Sequence, residues 1–197
     1  MKENIPIEIF TIYRSNEGRE TSFYNIVNSK DVIDDEHYEP SKFWNCMGGL
    51  SVCINQYQTV FCSTNFYNLV KATSFLIHSL YWIKNRRSDW FDIDDDYPND
   101  IILRTTSNEI IRLANHNEEA LSLSFTSSEV NHVRQRGDRY FESVLIKKEG
   151  WYAAAKLALE EYFEVLLRVV KNSSGDSTSR TMMSYYDVWK NLKAIEV

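Results

Sequence analysis

The chain reads as an α+β protein, a mostly antiparallel β-sheet (an N-terminal hairpin plus a meander) packed by two long α-helices. Three observations predict this class. Across 197 residues, 43% are hydrophobic and 14% aromatic, enough apolar surface for a substantial core. Two segments, near 65–85 and 149–171, carry apolar residues at helical spacing. Between them the period shifts toward two, and short turn-like connections favour antiparallel neighbours over parallel βαβ units.

Taken in order, residues 5–13 alternate as a first strand, and Pro6 suggests an edge position. Residues 28–41 read as a solvated acidic loop holding Asp31, Asp34, Asp35, Glu36 and Glu39. Gly48 and Gly49 then suggest a two-residue hairpin turn between strands at 43–47 and 50–54. That register places Phe43, Asn45, Met47, Leu50, Val52 and Ile54 on one largely apolar face, with Trp44, Cys46, Ser51 and Cys53 on the other. Residues 57–62 continue the sheet. The helix expected over 65–85 has Ser63 or Thr64 as N-cap and a stripe through Leu69, Ala72, Thr73, Leu76, Leu80 and Ile83.

Strands follow near 101–106, 109–115, 121–126 and 139–147. In the third, Leu121, Leu123 and Phe125 oppose Ser122, Ser124 and Thr126. The second long helix, 149–171, runs through Ala153 to Ala155, Leu157, Leu159, Tyr162, Phe163, Leu166 and Val170. Glu149 near its start and Arg168 and Lys171 near its end suit the helix dipole, and Glu164 can pair with Arg168. Residues 172–179 have linker composition, and 184–195 suggest a short helix with Tyr185, Trp189 and Leu192 on one side. The expected organisation is one α+β domain over 1–171 and a flexible, Ser-rich connection with a short helical segment over 172–197.

Charge narrows the function. With 22 basic and 28 acidic residues the formal charge is −6, which disfavours polyphosphate backbones and so argues against nucleic-acid binding. The N-terminal residues lack a basic region followed by an apolar one, and the longest apolar run, 75–83, is too short to span a bilayer, which predicts a soluble protein without membrane association. Cys46, Cys53 and Cys62 form no CxxC pair, and the odd count fits a reducing compartment, the cytoplasm.

Catalytic and metal patterns fail at identifiable positions. Asp92, Asp94 and Asp96 have the alternate spacing that opens an EF-hand loop, but Tyr97 stands where a glycine must turn the chain and Leu103 where a bidentate glutamate is required. Asp100 and Glu109 suggest a nuclease arrangement, but Ile111 occupies the lysine position. His37, His78, His116 and His132 show no zinc spacing, and no serine lies on a Gly-flanked elbow. No metal or cofactor is therefore expected. Arg134, Arg136 and Arg139 form a compact basic cluster, read as a solvated loop.

The remaining signal is a surface. Asp92, Asp94, Asp95 and Asp96 form the densest charge, suited to a basic partner. On a helical projection, Phe75 and Trp82 fall opposite Leu69, Leu76 and Leu80, on a side shared with Asn68, Lys71, His78 and Ser79. These six residues (four aspartates and two rings) are the expected partner-binding site of a non-enzymatic interaction domain. In size and charge the chain resembles an acidic stoichiometric inhibitor of the immunity-protein type, occluding a basic protein partner. The alternatives are a metal-dependent hydrolase built on Asp92, Asp94 or Asp96, and a homo-oligomeric structural protein.

Overall fold

The structure, a computed structural model, describes residues 6–15, 22–26, 40–54, 58–66, 69–84, 99–104, 110–126, 143–171 and 176–194. It is α+β with antiparallel sheets, the class predicted. Strands β1 (Ile7–Ser15) and β2 (Ser22–Asn25) form the N-terminal hairpin. A short helix α1 (Pro40–Trp44) leads into β3 (Gly48–Ile54) and β4 (Gln58–Phe66), completing a four-stranded sheet of order β2-β1-β3-β4. Helix α2 (Leu69–Ile83) follows. A second sheet is the meander β5 (Ile101–Arg104), β6 (Ile110–Asn115), β7 (Ala120–Thr126) and β8 (Val144–Lys147), ordered as in the chain. Helices α3 (Lys148–Lys171) and α4 (Ser177–Ala194) close the fold.

The first sheet turns its alternation toward the helices. Ile9, Thr11 and Tyr13 are buried, paired in register with Val52, Leu50 and Gly48. Strand β1 lies between β2 and β3, not at the expected edge. Pro6 precedes the strand and so removes no donor from its ladder.

The glycine pair is a second correction. Residues 43–47 are not a strand, and Gly48-Gly49 is not a turn. The peptide N–H and side-chain amide of Asn45 both donate to Ser41 O, at 3.2 and 2.9 Å, finishing the single turn of α1. Gly48 opens β3 because another element comes too close for a side chain. A Cβ there would collide with the Ile12 carbonyl oxygen and the Leu69 side chain. The residue is glycine for lack of room.

Leu69 begins α2 and donates its N–H to Cys46 O at 3.2 Å. The expected caps Ser63 and Thr64 belong to β4, which extends to Phe66. Nine residues of α2 are buried, on nearly every side, as befits a helix enclosed by other elements. Helix α3 matches its prediction closely. Trp151, Ala155, Ala158, Leu159, Tyr162 and Phe163 are buried, and Arg168 Nη2 donates to Glu164 Oε1 at 3.1 Å. Leu157, expected in the stripe, is 57% exposed because it falls between the turns that face inward.

Helix α4 starts earlier than its apolar pattern suggested. Asp176 caps it, accepting from Ser179 N at 2.7 Å and from Ser179 Oγ at 3.1 Å. Residues 176–179, expected as flexible connection, are thus a helix start. Met182, Trp189 and Leu192 join the core. Trp189 stacks on Phe163 with centroids 6.3 Å apart, and Tyr81 Oη donates to Val188 O at 3.0 Å. No described helix is long and apolar enough to cross a membrane.

Candidate functional site

An open cleft of about 190 Å³ forms where four element ends meet. Trp82 and Ile83 come from the end of α2, Asn99 from the approach to β5, Asn115 from the end of β6 and Lys148 from the start of α3. Local chemistry fixes these ends. Asn117 Oδ1 accepts from Glu119 N and Ala120 N at 2.9 and 2.8 Å, and His116 N and Asn117 N donate to Ala120 O. This side-chain-stabilised turn reverses β6 into β7. Lys148 N then donates to Glu119 O at 2.9 Å, tying the first residue of α3 to the same turn.

Beside the cleft, Arg112 Nε donates to Asp100 Oδ2 at 2.6 Å. The pair anchors the C-terminal end of the acidic segment to β6. Lys84 Nζ lies 4.9 Å from the centroid of the Tyr152 ring, a cation–π contact joining the ends of α2 and α3. Among the described residues, the side chains of Trp82, Asn99, Asn115 and Lys148 make no hydrogen bond or ion pair.

The predicted site residues have separate fates. Asp92, Asp94, Asp95 and Asp96 lie outside the described residues. Trp82 is half-buried at the cleft. Phe75 is 4% exposed and packs edge-on against Trp151, with centroids 6.2 Å apart. The side of α2 assigned to solvent on account of its polar residues is therefore partly a helix–helix contact. Ser79, one of those residues, is fully buried; its hydroxyl accepts from Trp151 Nε1 at 2.8 Å and donates to Leu76 O at 2.7 Å. A small hydroxyl so satisfied can sit in a core, so polarity misidentified the face. His78 is half-buried, and burial pushes its pKa down to about 4.

A polar cluster lies deeper, where α1, α2 and α3 meet. Burial pushes the Cys46 thiol up to about 12, although hydrogen bonds from the Leu69 and Cys46 peptide groups act in the opposite sense. Burial also raises Tyr162, which bonds to the Thr73 side chain and stacks on Phe43 at 5.8 Å. A thiol held protonated in this way is a poor nucleophile. Cys46 lies before β3 instead of on a strand diagonal to Cys53, as the hairpin register had placed it, and the Cys53 thiol lies 3.8 Å from Ser51 Oγ. His116 is exposed in a turn, as expected. His37, His132, Arg134, Arg136 and Arg139 lie outside the described residues. Among the described residues, no group of three or more His, Cys, Asp or Glu side chains could hold a metal ion.

Of the residues that line the cleft, sequence reasoning singled out Trp82 and none of the others. Asn99, Asn115 and Lys148 are ordinary polar residues in separate segments, and only the fold brings them together. No family model, curated protein or solved structure matches this chain, so its functional reading rests on this cleft and the residues around it.

Proposed function

We propose that the chain is a non-enzymatic interaction domain, an acidic stoichiometric inhibitor that docks on and occludes a basic protein partner. The observation that carries this reading is the place of Trp82. Trp82 lines a cleft also lined by Asn99, the next-to-last residue of the acidic run that ends at Asp100. A half-buried indole on a well-packed helix loses little side-chain entropy on docking, and such rings dominate binding energy at interfaces. Asp92, Asp94, Asp95 and Asp96, a few residues upstream in the sequence, supply negative charge suited to a basic partner. The buried Phe75 ring serves the core.

The test is capture of a partner from native-host lysate by the tagged chain, its Trp82→Ala variant and a D94K/D95K/D96K variant. The wild type should retain a stoichiometric basic protein. Trp82→Ala should weaken the purified complex by about 2 kcal/mol, the scale of a binding hot spot. The charge-reversed variant should chiefly slow association and flatten its salt dependence. A complex insensitive to both variants would refute the proposal.

A further inference from the structure

The geometry points to a carboxylate subsite in the Trp82 cleft, filled by a carboxylate that the partner carries beside an apolar group. The cleft is rich in donors. Lys148 and the indole of Trp82 can only donate, and the amides of Asn99 and Asn115 can each present an NH₂ group. None of these four side chains has a hydrogen-bond or ion-pair partner among the described residues. Comparable groups elsewhere are engaged: the Trp151 indole by Ser79, Arg112 by Asp100 and Lys84 by the Tyr152 ring. Unpaired donors from four separate segments therefore line one concavity.

Charge selects the occupant. Among the described lining residues the charged one is Lys148, which brings a cation to the cleft of a chain of net charge −6. A single ammonium with carboxamides matches a monoanion; a phosphate dianion would face the chain's overall negative field with one compensating charge. Trp82 and Ile83 supply the apolar part, against which a hydrophobic side chain next to the carboxylate would pack. This inference rests on the docking proposal for the bearer of the carboxylate, and it adds register to it. A lysine that takes a carboxylate, in a chain whose net charge suits a basic surface, favours partner orientations that bring a carboxylate to the cleft.

The test needs no partner. The indole N–H resonances of the ¹⁵N-labelled chain, which has 5 tryptophans, are followed by NMR, with Trp82 assigned through Trp82→Phe. The probes are N-acetylphenylalanine, its neutral amide, N-acetylaspartate α-methylamide and N-acetylargininamide. A saturable Trp82 shift is expected with the carboxylates, about tenfold tighter for N-acetylphenylalanine than for its amide. Lys148→Gln should abolish that preference, leave the amide unchanged and leave the other four indole signals in place. Tighter binding of the α-carboxylate identifies a chain terminus as the source, and tighter binding of the side-chain carboxylate an acidic residue. Absence of a saturable carboxylate response, equal affinity for acid and amide, preference for the arginine probe, or an unaltered preference in Lys148→Gln overturns the inference. Partner capture that depends on Trp82 while the cleft takes no carboxylate sinks the subsite alone. A carboxylate-binding cleft with capture indifferent to Trp82 sinks the docking proposal.

Discussion

Replacing Ser79 with alanine removes one oxygen from the contact between α2 and α3. That oxygen accepts the Trp151 indole N–H at 2.8 Å and donates to the Leu76 carbonyl at 2.7 Å, with Ser79 and Trp151 both fully buried. In Ser79→Ala the indole N–H is left in the core without an acceptor, a cost of about 1–3 kcal/mol. The Leu76 carbonyl loses a second partner but stays within helix α2, and alanine recovers about 0.5 kcal/mol of helix propensity over serine. A net loss of about 1–2 kcal/mol is expected. Trp151→Phe removes the donor and leaves a smaller ring against Phe75, so it is costly by itself. In that background, however, Ser79→Ala no longer strands an N–H, and the cycle should show a coupling of about 1–2 kcal/mol. Equilibrium unfolding in urea, followed by far-ultraviolet circular dichroism, should show a lower midpoint at constant m-value. A Ser79→Ala cost below about 0.5 kcal/mol, or the same cost in both backgrounds, would refute the assignment of Ser79 as an internal acceptor.

Two further outcomes concern stability. Gly48→Ala places a methyl group against the Ile12 carbonyl and the Leu69 side chain. A loss of about 3 kcal/mol or more is expected in thermal or urea unfolding, and a near-neutral result would mean that β3 and α2 are further apart than described. His78 has its pKa lowered by burial from 6.5 to about 4, so the unfolded chain binds its proton first as pH falls. Stability should therefore decline between about pH 6.5 and 4 by an increment that His78→Gln removes; an NMR titration of the imidazole near 6.5 would contradict it.

Legibility in the sequence followed the length and regularity of the signal. Helix α3 could be read to within a residue because its apolar period persists over six turns and its ends carry the right charges. The meander was readable because each strand pairs with its sequence neighbour. Gly48 misled because glycine serves both positive φ and close approach, and only the neighbouring Leu69 and Ile12 decide which. Asp176 was hidden by the Ser-rich composition around it, which suits a linker and a helix cap equally. Phe75 misled for a related reason: Ser79 and His78 make its side of α2 polar in sequence, whereas Trp151 of α3 covers it in the fold. Of the cleft, only Trp82 announced itself, since a large ring on a partly polar helix face is conspicuous in one dimension. Asn99, Asn115 and Lys148 are neighbours in space alone.

Strand β8 ends at Lys147 and α3 begins at Lys148, with no residue between them. The junction is a stiff splice, without the slack of an intervening loop. Lys148 faces the cleft, while further along the same helix the core packs against β1 of the other sheet. A force applied at the cleft would therefore act through a rod already clamped at its root by the Glu119 carbonyl. The two sheets are joined through that helix, which packs on β8 at its start and on β1 further along.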